Sequence, residues 1–149
     1  MSRSGYSDDC DGWELIRWRG AVESAIRGKR GQAFLRELEA ALVALPKKRL
    51  CYHDFASPDG EVCALGALAV KREIDDGASR AEALESVSTQ FPEGMEAEDA
   101  GYKLGIAHAL AAEITHMNDD CYGYENNTVE EQKQRYKRML AWVRERIKA

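Results

Sequence analysis

The chain has 149 residues, 44 % apolar and 32 % charged, with a net charge of −5, proportions that suit one globular domain and exclude a disordered chain. No stretch approaches the roughly 20 apolar residues needed to span a bilayer, and the N-terminus lacks the apolar core of a signal peptide, so a cytoplasmic protein with no membrane partner is expected. The four cysteines, Cys10, Cys51, Cys63 and Cys121, include no Cys-x-x-Cys pair, which argues against a zinc knuckle or redox motif and leaves reduced thiols as the expectation.

Residues 1–12 carry Ser, Gly, Tyr and Asp with almost no aliphatic side chain, and read as a flexible arm ahead of one globular domain over 13–149. Trp13 to Arg27 has apolar residues at near-helical spacing, with Asp11 as a candidate N-cap and Gly28 as a stop. A second helix is predicted from Gln32 to Leu45 on the stripe Phe34, Leu35, Leu38, Ala41, Leu42 and Leu45, ended by Pro46. The short basic link Gly28-Lys29-Arg30-Gly31 predicts an antiparallel helical hairpin.

From Arg49 to Phe55 the pattern changes, and Ser57-Pro58-Asp59-Gly60 is a turn signal followed by Glu61-Val62-Cys63-Ala64. A small β-hairpin is expected there, covered by helices. A short helix follows over Leu65–Ile74. Ser79-Arg80-Ala81-Glu82 forms a capping-box pattern opening a helix to about Phe91, and a long helix is predicted over Ala97–Met117. Asn118 to Asn127 reads as loop, and Thr128-Val129-Glu130-Glu131 opens a C-terminal helix that buries Val129, Tyr136, Met139, Leu140, Val143 and Ile147. Its outer face is expected to carry Lys133, Arg135, Lys137, Arg138, Arg144, Arg146 and Lys148. The predicted class is therefore α+β, predominantly α-helical, with about six helices and one small β-hairpin.

Charge is unevenly distributed along the chain. Residues 1–50 carry a net +3, residues 51–127 a net −12 and residues 128–149 a net +4. Acids at helix starts are routine stabilisers, but the central surplus exceeds what capping requires and suits docking on a Lys/Arg-rich surface. Candidate partner-binding acids are Asp75, Asp76, Glu93, Glu96, Glu98, Asp99, Asp119 and Asp120.

Catalytic and metal chemistry have weaker support. His116 with Asn118-Asp119-Asp120-Cys121 offers donors for a divalent cation, but neither an EF-hand loop nor a His-x-x-x-His pair is present. The plainer reading of Asn118 and Asp119 is a helix end and a turn. Cys63 opposite His53 would make a nucleophile–base pair only if the hairpin register brought them together, and buried cysteines are usually structural. His108 and His116 lie about 12 Å apart along one predicted helix, too far to share a metal unaided. No phosphate-binding Gly-rich motif occurs. No catalytic residue, metal or cofactor is expected, and the basic C-terminal helix is better read as a solvated face than as a direct nucleic-acid contact.

Val62-Cys63-Ala64-Leu65-Gly66-Ala67-Leu68, followed by Met117-Asn118-Asp119-Asp120 and Thr128-Val129-Glu130-Glu131, resembles a pattern in small phage and bacterial proteins. Those proteins pair a Cys-x-Leu-Gly-Ala-Leu-like hairpin-to-helix junction with an Asn-Asp loop before a final helix. The segment from Gly5 to Leu50 also resembles phage or prophage proteins. The resemblance carries no chemistry. It implies a phage-encoded setting, in which small acidic helical proteins such as anti-CRISPR proteins occlude host defence complexes. The expected partner is then a host protein or ribonucleoprotein effector with a basic surface, met in the bacterial cytoplasm. In that setting Trp13, Tyr122 and Tyr124 would anchor the acidic surface. A metal-assisted hydrolase using residues 118–121 and a nucleic-acid-binding module using the last helix are the alternatives.

Overall fold

A computed structural model describes residues 12–52, 54–119 and 128–149, with side chains from residue 15 onward. Seven α-helices follow in chain order: α1 Gly12–Arg27, α2 Lys29–Ala44, α3 Ala64–Asp75, α4 Arg80–Gln90, α5 Ala97–Leu104, α6 His108–Asp119 and α7 Val129–Arg146. The candidate N-cap Asp11 and nearly all of the expected N-terminal arm lie outside the described residues. The stripe read from the sequence of α2 is buried, with Leu35, Leu38 and Leu42 fully enclosed. One continuous apolar cluster joins it to α3, α4, α6 and α7.

The expected β-hairpin is not a hairpin. Among the described residues there is no strand, only a single antiparallel bridge between Ala56 and Val62, and the fold is all-helical rather than α+β. The turn chemistry is present: the Ser57 N–H donates to the Glu61 carbonyl at 2.9 Å, and Gly60 sits at φ +97°. The Cys51 N–H still reaches the Val62 carbonyl at 2.8 Å and the Cys63 N–H the Phe55 carbonyl at 3.1 Å, but other flanking backbone groups find partners on distant helices and no ladder extends. The Leu50 N–H donates to the Gln132 carbonyl at 3.0 Å, while the Leu50 and Cys51 carbonyls accept from Arg135 and Asn118. The would-be second strand instead supplies the start of α3, where Cys63 is the N-cap and its Sγ accepts from the Gly66 N–H at 3.4 Å.

The predicted long helix over Ala97–Met117 is broken into α5 and α6. Gly105, at φ +78°, ends α5 in the left-handed conformation that favours glycine. The Ile106 N–H then donates back to the Gly101 carbonyl at 3.0 Å, and the chain turns before α6. Arg72 ties this corner to the rest. Its guanidinium donates to both Glu37 carboxylate oxygens at 2.7 and 2.8 Å and to the Leu104 carbonyl at 2.9 Å. The hydrogen bonds to Glu37 raise the Arg72 pKa, joining α2, α3 and the end of α5.

At α4 the capping box is complete. The Glu82 N–H donates to Ser79 Oγ and the Ser79 N–H donates to Glu82 Oε1, both at 3.2 Å. Hydrogen bonding from the Ser79 side chain, then from its backbone, lowers the Glu82 pKa. A carboxylate with a depressed folded pKa gives stability that is present above its unfolded value and lost as pH falls through the folded one. Ser79→Ala is therefore expected to lower the thermal midpoint by about 3 °C at pH 7. The difference should shrink below about pH 4, as differential scanning calorimetry at both pH values can check.

Candidate functional site

Two polar regions stand out, one buried and one exposed. The buried one is centred on Asn118, near the end of α6 and only 1 % exposed. Its Oδ1 accepts from the Ala64 N–H at 3.1 Å, and its Nδ2 donates to the Cys51 carbonyl at 3.0 Å and to Asp119 Oδ1 at 2.7 Å. Asn118 thus joins α6 to the first turn of α3 and to the chain before the turn at 57–60. Arg135 of α7 lies alongside in the same role. It is fully buried, donates to the Leu50 carbonyl at 2.8 Å and lies 5.2 Å from the Tyr52 ring centroid. Gln132, also buried, donates from Nε2 to Glu61 at 3.3 Å.

This arrangement corrects several sequence expectations. Asn118 has its amide engaged by backbone groups, so it is poorly placed to serve as a metal ligand. Asp119 is 3 % exposed and cannot belong to an acidic docking face. Among the described residues, no group of three His, Cys, Asp or Glu side chains converges on a metal-sized point. Arg135 belongs to the interior and not to the outer face of α7. Its position should have signalled this, because Gln132, Arg135, Tyr136, Met139, Trp142 and Val143 form one helical stripe, all buried. Val129, expected inside, is 49 % exposed. Cys51 and Cys63 are buried and reduced, while His53, Asp120, Cys121, Tyr122 and Tyr124 lie outside the described residues, as does the side chain of Trp13.

The exposed region is α5. Ala97, Ala100, Gly101 and Leu104 face inward, which leaves Glu98, Asp99, Tyr102 and Lys103 exposed, with Glu98 and Asp99 four and three residues before Tyr102. Tyr102 is 89 % exposed, the most exposed large hydrophobic side chain among the described residues. Glu93 and Glu96, in the approach to α5, are exposed as well. Glu98 lies 3.9 Å from His108 Nδ1, and His108 meets Trp18 edge-on with ring centroids 5.4 Å apart. The other nominated acids are placed differently. Asp75 is paired with Lys71 at 2.7 Å, and Asp76 caps the end of α3. The sequence reading missed Tyr102, which lay inside a helix assigned as one piece. The alternation of small and charged residues over Ala97–Leu104 was the available signal.

A groove of about 240 Å³ lies beside the 57–60 turn and is lined by Lys47, Arg49, Arg80, Asp59 and Glu61 among others. Its charges are of mixed sign and focus no single ligand type. No helix among the described residues is long and apolar enough to cross a membrane. No protein-family model, curated protein or solved structure matches the chain.

Proposed function

We propose that this chain is a non-catalytic binding protein that docks the acidic, aromatic face of α5 on a basic surface of a partner. In this reading it is a phage- or mobile-element-encoded inhibitor of a host defence complex, acting in the bacterial cytoplasm by occlusion. The observation that carries the reading is Tyr102, 89 % exposed beside Glu98 and Asp99 on a helix whose other side is packed. Tyrosine is enriched at the centres of interfaces because a rigid ring buries a large area at little entropic cost, and a surrounding rim of one charge sign steers the partner. Glu93, Glu96, Glu98 and Asp99 would supply an acidic rim, beside the exposed Lys103, whose ammonium donates to the Gln90 carbonyl at 2.6 Å. Asp75 and Asp76 sit at another helix end, and Asp75 is already paired.

A hydrolytic reading is less well supported, because the Asn118 amide and the Asp119 carboxylate are buried and bonded to each other. The binding reading is tested by affinity capture from a bacterial lysate with the native chain and with Tyr102→Ala and Asp99→Lys variants. Loss of a hot-spot tyrosine is expected to weaken the captured complex roughly 30-fold. Both variants should keep the native thermal midpoint within a degree or two, since both side chains are exposed. Capture of the same proteins in the same yield by all three chains would overturn the assignment to α5.

A further inference from the structure

Positive charge from the two ends of the sequence is brought together at the α1–α2 turn. The end of α7 is seated there by four hydrogen bonds. Gln32 Nε2 donates to the Arg146 carbonyl at 2.9 Å, and Gln32 Oε1 accepts from the Lys148 N–H at 2.8 Å. Arg36 donates to the Lys148 carbonyl at 2.8 Å, and Lys148 Nζ reaches the Arg27 carbonyl at 3.4 Å. The buried amide of Gln32 also holds the Ile26 carbonyl at 2.8 Å, which fixes the turn itself. The turn is close-packed as well, since a Cβ on Gly31 would lie 1.8 Å from the Ala25 carbonyl oxygen.

The result is one surface carrying Arg27, Lys29, Arg30, Arg36, Arg144, Arg146 and Lys148. All are exposed except Arg146, which is half-buried and stacks on Trp142 at 4.4 Å. Carboxylates on the same helices include Glu23, Glu37, Glu39 and Glu145, of which Glu37 pairs with Arg72 at 2.7 Å, Glu39 with Arg144 at 2.9 Å and Glu145 with Arg146 at 3.5 Å. Arg27, Lys29, Arg30, Arg36 and Lys148 take part in no ion pair among the described residues. Like charges gathered on one surface repel one another in the isolated molecule. Screening at about 0.1 M salt confines electrostatics to roughly 10 Å, so such a patch acts locally despite the net charge of −5.

We propose that this surface binds the sugar–phosphate backbone of duplex DNA. The chemistry of the patch selects that occupant. Its exposed charged groups are mainly cationic donors, which suit phosphate oxygens. Among the described residues the patch offers no exposed aromatic ring on which an unpaired base could stack, because Trp142 is 5 % exposed. The site is separate from the α5 face and does not depend on its role.

The test is fluorescence anisotropy of a labelled 20-base-pair DNA duplex titrated with the full chain. Engaging about four phosphates implies roughly a hundredfold loss of affinity between 50 and 200 mM salt. Lys29→Glu combined with Arg30→Glu is expected to weaken binding at least tenfold at 50 mM salt. Lys133→Glu, at the other end of α7, should leave it within twofold, as should Tyr102→Ala. Circular dichroism and the thermal midpoint verify that each variant is folded. If the double variant fails to fold, Arg27→Glu, exposed at the end of α1, takes its place with the same expected direction. Absence of binding at 50 mM salt, or binding indifferent to these reversals, overturns the proposal. Equal affinity for a polyglutamate chain of matching charge also overturns it, in favour of an acidic protein partner, and preference for a single strand overturns the duplex assignment.

Discussion

Gly66→Ala is expected to destabilise the fold by upwards of about 3 kcal/mol, while the same change at Gly20 is expected to stabilise it by up to about 1 kcal/mol. Both glycines lie inside helices, so the opposite signs come from their surroundings. A Cβ on Gly66 would lie 1.5 Å from the Phe55 carbonyl oxygen and 2.5 Å from its carbon. That carbonyl also accepts from the Cys63 N–H at 3.1 Å, so the backbone at residue 55 cannot retreat without releasing the N-cap of α3. No heavy atom lies within 4 Å of the corresponding position at Gly20, so alanine there gains helix propensity without a clash. Urea denaturation of the two variants measures both signs. A Gly66→Ala midpoint equal to the native one would mean that α3 does not press against residue 55 as described.

The same close approach explains what could be read in the sequence and what could not. Elements that satisfy themselves locally were legible. The α2 stripe needs only its own periodicity, and the Ser79–Glu82 box needs only residues three apart. The segment from Leu50 to Cys63 carried a sound turn signal, but turn chemistry does not say what the flanking backbone will bond to. Those partners lie 67 and 85 residues away, on Asn118 and Arg135, and no local pattern encodes them. Gly105 likewise lies in an alanine-rich stretch that would continue as a helix. The break there depends on α5 turning back against α6, where a Cβ on Gly101 would come within 2.7 Å of the Ala111 Cβ.

Charge misled in a different way. Counting it by segment set an acidic middle between basic ends, and folding rearranged that order. The basic ends meet each other at the α1–α2 turn through Gln32, Arg36 and Lys148. Of the acids nominated for docking, Asp119 is buried and Asp75 is paired. Among the described residues, Glu93, Glu96, Glu98 and Asp99 stay exposed in α5 and its approach, and Asp76 stays exposed at the end of α3. Arg135 falls among the outer cations when charge alone is counted, although its neighbours in the buried stripe of α7 mark it as internal. A charged residue at a core position of a helix is better read as a candidate anchor for distant backbone than as part of a solvated face.

Asn118 supplies the sharpest test of that idea. Asn118→Ala removes three hydrogen bonds and takes the amide partner from the Ala64 N–H and the Cys51 carbonyl inside the core. Each orphaned group costs about 1–3 kcal/mol, so a loss of roughly 3–4 kcal/mol is expected. Asn118→Asp is nearly isosteric and at neutral pH should be worse, because an anionic oxygen replaces the donor that faces the Cys51 carbonyl and the Asp119 carboxylate. Protonating the introduced carboxyl restores one donor and removes the repulsion. The folded state therefore binds that proton more tightly than the unfolded chain does, and the deficit relative to the native protein should shrink as pH falls from 7 towards about 5. The alanine variant has no such proton to bind, and its deficit should stay nearly constant over the same range. Denaturation midpoints of all three chains at both pH values measure the difference. Parallel behaviour of the two variants would show that Asn118 fills space and does not bridge α6 to α3.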